Sequence, residues 1–290
     1  MLGTEDLNLI DRRNWSGHNH SEFCPHGSGE AEEEYIEKAI DNGFKTYSIT
    51  EHFPMPPKFY DRVTGAQHAI YTAAMSLKDL PNYLKKMKEI KIKYADRIQI
   101  LIGFEFDFIE SFEDWTAEQL KLYGQQIDDA ILSVHFLPTR FGLRAVDESP
   151  LDFKSGILKE YGSPLGVAKA YLKTVKKAVE WETEYKPLRY GHIMLYRKWR
   201  NTFPAQTLWE DIEVENLLKN IIKEISQKSE FLDCNMAGLF RPTQTEPTPT
   251  FKWLQKAQQL NIPLVFGSDA HKVAAVDQGY NTYLESQYFL

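Results

Sequence analysis

The chain has 290 residues, 34 basic against 41 acidic side chains, a net charge of -7 and a 42% apolar fraction. That balance fits a globular chain with one large core, and without a Lys/Arg block it disfavours nucleic acid or an anionic membrane as the main partner. No apolar run reaches the roughly 18 residues of a membrane span, the opening MLGTEDLNLIDRRNW lacks a signal-peptide core, and Cys24 and Cys234 are too few for a disulfide framework, so the expected location is the cytoplasm.

No repeat, low-complexity tract or linker interrupts the chain, which predicts a single domain over 1–290. A β-rich run at 15–20 opens it and carries Gly17-His18-Asn19-His20, followed by Cys24 and His26. A helical pattern at 30–42 leads to a strand at 45–50, which ends in Glu51-His52. After the loop 53–76, a helix at 77–95 precedes a strand at 98–106 with Glu105 and Asp107 at its end. A helix at 116–126 and a strand at 129–136 follow, the strand bearing His135. A second long insert, 138–162, separates it from a helix at 164–185 whose start is marked by Ser163-Pro164. The strand at 188–194 holds His192, the helix at 208–228 leads to a strand at 230–235 with Asp233 and Asn235, and the helix at 250–260 leads to a last strand at 263–268, just before Asp269 and His271.

Strands alternating with helices predict a parallel sheet, and this many units predict closure into an α/β barrel of seven or eight strands. Neither GxGxxG nor GxxxxGK[ST] occurs, so dinucleotide and P-loop chemistry lose their usual support. Of the eight histidines, all but His68 lie at or just beyond strand C-termini. In a parallel barrel those ends share one face, so residues far apart in sequence meet in one cavity. His18 and His20, two apart in a strand, point to the same side. Burying so many imidazoles and carboxylates together is costly without a compensating cation, and the pattern therefore predicts a multinuclear metal site.

The blocks GHNHSEFCPHG, ITEH, GFEFDF, SVHF, GHI with LYRKW, LDCN with GL, and FGSDAH give the chain a resemblance to the polymerase and histidinol phosphatase (PHP) superfamily. HSEFCPHG, SVHF and RKW resemble its histidinol-phosphate phosphatase branch. The resemblance implies a distorted (β/α)7 TIM-like barrel with three divalent ions, drawn from zinc, manganese and iron. His18, His20, Glu105 and Asp269 would hold the first; Glu105 would bridge to the second, completed by His135 and His192; His26, His52 and His271 would hold the third. It departs from relatives in two places: Met194 stands where many have an acidic residue, which removes a hydrogen bond behind His192, and Asp233-Cys234-Asn235 replaces a common Glu-x-Asn.

The implied activity is hydrolysis of the small phosphomonoester L-histidinol phosphate in histidine synthesis, by a hydroxide bridging the first two ions. Arg197, matching the arginine of the RKW block, is the first choice for a phosphate clamp and Arg241 the second. Asp269 or His271, or a water on the metal, would protonate the leaving group. His68 matches no block and is read as a surface or substrate-loop residue. Cys24 lacks the CxxxxxR loop of thiol phosphatases and is not expected to be a nucleophile. The inserts carry Tyr60, Arg62, Phe141, Arg144 and Asp147, and Asp147, Glu148 or Glu51 could meet the cation of the substrate. Another phosphomonoester on the same site, a nuclease, and a metal-binding barrel without turnover are the alternatives.

Overall fold

The alternation of short apolar runs with amphipathic helices closes into a barrel in the computed structural model, which describes residues 1–287. Its strands are β1 (Trp15–Asn19), β2 (Thr46–His52), β3 (Gln99–Asp107), β4 (Asp129–Ser133), β7 (Arg189–Tyr190), β8 (Phe231–Asn235) and β9 (Leu264–Ala270), hydrogen-bonded in that order, with β9 returning to β1. Every pair is parallel. This is the (β/α)7 architecture expected from the sequence.

Helices cover the outside because each has one apolar face. In Ile212–Gln227, Val214, Leu218, Ile221, Ile222 and Ile225 are buried, spaced as one stripe of a 3.6-residue period, and the Asp211 side chain caps the start by accepting from Val214 N at 2.9 Å. Ser163 caps Pro164–Glu180 in the same way, accepting from Gly166 N at 3.0 Å. Among the described residues no helix is long and apolar enough to cross a membrane.

Two expected strands are shorter than the sequence pattern suggests. The run at 129–136 leaves the barrel after Ser133, and Phe136–Thr139 (β5) pairs antiparallel with Gly142–Ala145 (β6) in a hairpin. The break coincides with a tertiary contact: Asp107 Oδ1, on β3, accepts from His135 N at 3.0 Å and lies 2.9 Å from its Nδ1, which draws the chain off the ladder. The run at 188–194 pairs only through Arg189 and Tyr190 before entering a 3-10 turn at Leu195–Arg197.

The N-terminal end of the barrel is plugged by a polar network inside an apolar ring. Trp15 donates to Ser48 Oγ at 2.8 Å, Ser48 to Asp129 Oδ2 at 2.7 Å, and Arg189 pairs with Asp129 while lying 5.1 Å over the Trp15 ring. Leu101, Phe231 and Val265 pack around them. The opposite end carries the histidines.

Candidate metal centre

Each strand delivers its donors to the C-terminal mouth. His18 lies in β1 and His20 just beyond it, His52 ends β2, Glu105 lies near the end of β3, and His135 and His192 follow β4 and β7. Asp269 lies in β9 and His271 follows it. His26 reaches back from the loop after β1.

Glu105 is the hub. Its Oε2 is 3.1 Å from His52 Nδ1, 3.4 Å from His18 Nε2 and 3.7 Å from His20 Nε2, while its Oε1 is 3.0 Å from His192 Nε2 and 3.7 Å from His135 Nε2. Asp269 Oδ1 lies 3.2 Å from His20 Nε2 and 3.9 Å from His18 Nε2. The Nε2 atoms of His135 and His192 are 3.1 Å apart, and those of His26 and His271 2.9 Å. Donor atoms of His18, His20 and Asp269 form one compact group, those of His18, Glu105 and His192 another, and those of His52, Glu105 and His135 a third. A fourth joins His20, His52 and His271 to Cys24. All nine expected ligands therefore gather in one place.

The residues behind these donors fix their orientation. His18 Nδ1 is 2.8 Å from Asp233 Oδ2, both fully buried, so the shorter carboxylate on β8 has a defined partner. Asp107 holds His135 through Nδ1, and the carbonyl of Asp269 accepts from His271 Nδ1 at 2.9 Å. Met194 is buried in the core and His192 Nδ1 has no hydrogen-bonding partner among the described residues, as the missing acidic residue implies. Space is equally constrained: a Cβ at Gly191 would overlap Ser133 Oγ, and one at Gly267 would overlap Asp233 Oδ1. Asp269 has φ 53, a left-handed conformation uncommon for a residue with a side chain and the kind of local strain that collects at functional sites.

Electrostatics favour charged carboxylates beside imidazoles. Burial alone would raise Glu105, but His18, His135 and His52 hold it well below the ordinary carboxylate range. Asp269 is likewise raised by burial and brought well below its ordinary value by His20 and His18. Burial and the neighbouring His20 push His52 and His271 down, whereas His135, although buried, is raised to about 10 by Asp107 and Glu105. His18 Nε2, His52 Nε2 and Glu105 Oε2 are buried with no hydrogen-bonding partner among the described residues. Orphaned donors of imidazole and carboxylate type at mutual distances of 3 to 4 Å suit divalent cations of the zinc, manganese or iron kind, and the residues fit that role.

Six of these donors, His26, His52, His135, His192, Asp269 and His271, line a cavity of about 690 Å³. Arg241 lines its wall, with Nη2 3.3 Å from Asp269 Oδ2. Arg197 does not: its Nε and Nη2 donate to Glu246 at 2.5 and 3.2 Å, and Nη1 lies 3.6 Å from Glu210, so the expected clamp is a buried structural ion pair turned away from the cavity. The 3-10 turn sends the next residue, Lys198, into the cavity, where its Nζ is 2.9 Å from Asp147 Oδ2. Glu51 is also withdrawn from substrate, accepting from Ser21 N at 2.8 Å, Ser21 Oγ at 2.6 Å and His52 N at 2.8 Å, with His20 Nδ1 3.5 Å away. His68 stands in the cavity wall on the short helix Gln67–Tyr71, and Lys272 also lines the cavity. Cys24 is buried, and burial pushes its thiol far above its ordinary value, which is no state for a nucleophile.

A closed parallel barrel with imidazoles and carboxylates gathered at its C-terminal mouth defines a barrel protein with a cluster of side chains able to hold metal ions. Residues 16–237 match the PHP domain family, and the chain belongs to that family. It is 35% identical over 271 residues to a Bacillus subtilis (strain 168) protein named histidinol-phosphatase, covering 93% of this chain and 97% of that one. The solved structure of a Listeria monocytogenes protein assigned as a histidinol phosphatase matches with a TM-score of 0.91 at 41% identity, over 93% of this chain and 99% of that one. A histidinol phosphate phosphatase from Lactococcus lactis, solved with zinc, L-histidinol and phosphate, shares the fold with a TM-score of 0.67 at 18% identity, over 94% of each chain.

Proposed function

We infer that the chain hydrolyses L-histidinol phosphate to L-histidinol and phosphate, as a single cytoplasmic catalytic domain dependent on divalent ions. The observation that carries this is the clustering of seven histidines, Glu105 and Asp269 at one barrel mouth, beneath a cavity lined by His26, His52, His135, His192, Asp269 and His271 together with Arg241 and Lys198. The near full-length likeness to the B. subtilis histidinol-phosphatase supports the choice of substrate.

His18, His20, Glu105 and Asp269 would hold one ion, Glu105, His135 and His192 a second, and His26, His52 and His271 a third. Bound divalent ions supply Lewis acidity toward phosphoryl oxygens and lower the pKa of water toward neutrality. The chain's own side chains do the rest. Arg241 offers guanidinium hydrogen bonds to the phosphoryl oxygens, a geometry suited to their paired lone pairs. Lys198 adds a second positive charge to the cavity lining, held by Asp147. Asp233 and Asp107 keep the Nδ1 proton of His18 and His135 turned away from the cavity, which leaves each Nε2 lone pair facing the ions.

Steady-state phosphate release from L-histidinol phosphate, beside sugar, nucleotide and tyrosyl phosphates and with and without chelation, tests this. A kcat/KM preference for L-histidinol phosphate that chelation abolishes and zinc, manganese or iron restores is expected. A preference for another ester would overturn the substrate, and turnover that survives chelation would overturn the metal dependence.

A further inference from the structure

L-Histidinol phosphate carries charge at both ends: a phosphate dianion, and an ammonium and imidazole a few bonds away. The cavity is lined by charges of both signs. Arg241, Lys198 and Lys272 line it together with the metal donors, while Asp147 and Glu148 enter from the segment after β6. Its volume of about 690 Å³ exceeds what the phosphate alone requires and lies in the range of small-molecule sites that enclose most of their ligand.

The carboxylates that line the cavity are not equivalent. Asp269 is among the metal donors and beside Arg241. Asp107 is committed to His135 through both its backbone and ring nitrogens. Asp147 is neutralised by Lys198, and despite its burial that lysine and His135 hold its carboxyl well below the ordinary range. Among the described lining carboxylates, Glu148 is left with no metal-donor role, no lysine or arginine partner and no metal-binding histidine to orient. Its carboxylate is mostly buried, and its one ionic neighbour is the imidazole of His68, with Nδ1 3.6 Å from Oε2. His68 itself is largely exposed, on a helix that packs its Ala69 and the following Ala73 toward the same cavity. Phe136 and Ala145 complete an apolar wall there.

We propose that Glu148 is a specificity residue that receives the imidazole of the substrate, in the place where the exposed imidazole of His68 stands in the free protein. The proposal rests on the assignment of L-histidinol phosphate as substrate. A carboxylate in a partly enclosed wall forms a charge-assisted hydrogen bond with an imidazole N–H, and the flat apolar surface of Phe136, Ala145 and Ala69 accommodates the ring. The largely exposed ring of His68, which besides Glu148 has only a long 3.4 Å contact with Thr72 Oγ1 among the described residues, is displaced at little cost. Esters without a cationic or N–H-bearing ring leave the mostly buried Glu148 carboxylate without that partner, and are discriminated against on that account.

The test compares the metal-loaded wild type with Glu148→Gln and Glu148→Ala on L-histidinol phosphate and on phenyl phosphate, which lacks both the amine and the imidazole. The kcat/KM ratio of the first substrate to the second is expected to fall about 10- to 100-fold in both variants, mainly through a higher KM for L-histidinol phosphate. A fall of less than about threefold in both variants, or an equal loss on both substrates, overturns the proposal, because a purely structural role moves both substrates together. A wild type that shows no preference for L-histidinol phosphate defeats the substrate assignment and this proposal with it. A preference kept by the variants defeats this proposal alone.

Discussion

Replacing Asp233 with alanine should loosen the metal centre without touching a ligand. The carboxylate lies 2.8 Å from His18 Nδ1, and neither side chain is exposed. Its other contacts are weak, with Asn235 Nδ2 at 3.4 Å and His192 N at 3.5 Å, so the pair with His18 dominates what the substitution removes. A hydrogen bond to a charged group contributes about 1.5 to 3 kcal/mol, and losing the partner that orients a ligating histidine typically lowers metal affinity or activity by about 10- to 100-fold. The two magnitudes agree, since about 1.4 kcal/mol is a factor of ten in binding. Asp233→Asn keeps an oxygen that accepts from Nδ1–H but loses the charge, and should fall between wild type and alanine. The assay is competition for zinc against a fluorescent chelator, read as the chelator concentration that removes half of the bound metal, with kcat/KM measured in parallel. If Asp233→Ala surrenders its metal at the same chelator concentration as the wild type, the carboxylate does not orient His18 and the role given to it is wrong.

The two arginines should separate cleanly. Arg197→Met leaves Glu246 without its buried partner, which should lower stability by about 3 kcal/mol in denaturant unfolding with little change in KM; Arg241→Ala should instead reduce kcat/KM by about tenfold or more with a melting temperature close to wild type, and the reverse pattern would return Arg197 to the cavity. Glu32 is fully buried with both carboxylate oxygens unpartnered, and burial, reinforced by Glu51 and Glu22, pushes its carboxyl well above the ordinary range. The native state therefore keeps a proton that the unfolded chain releases, so its contribution to stability is fully present below the unfolded pKa and is lost as pH rises through the native one. Unfolding midpoints of wild type and Glu32→Gln, followed from about pH 5 to 8, should show the decline with pH weakened in the variant, and identical slopes would contradict a protonated Glu32.

How much of this was legible in the sequence follows from what a linear pattern encodes. The seven barrel strands were recoverable because each is a short apolar run between longer amphipathic ones, and the clustering of the candidate ligands was recoverable because parallel strands send every C-terminus to one face. His20 and His271, whose ring centroids are 4.0 Å apart, are adjacent in space for that reason alone. Boundaries failed where a tertiary contact outweighs local pattern: Asp107, on a neighbouring strand, pulls His135 off the sheet, and nothing within 129–136 announces it. The β5–β6 hairpin was hidden in the same way, inside an insert read as loop.

The misplacement of the phosphate clamp has a related cause. Arg197 and Lys198 are consecutive cations, and the sequence motif contains both. Which one faces the cavity depends on the phase of the 3-10 turn at Leu195–Arg197, and that phase is set by burial of Leu195 and Tyr196 and by Glu246 and Glu210, carboxylates that arrive from other parts of the chain. A side chain carrying a fixed charge into a low-dielectric interior must be met there by an opposite charge, and the structure meets Arg197 with Glu246 while leaving Lys198 to Asp147 at the cavity wall. Asp147 is thereby occupied, and Glu148 is left as the carboxylate with room for a ligand's imidazole. The same one-residue alternation that turns Arg197 away from the phosphate thus decides which of two neighbouring acids is free to select the substrate.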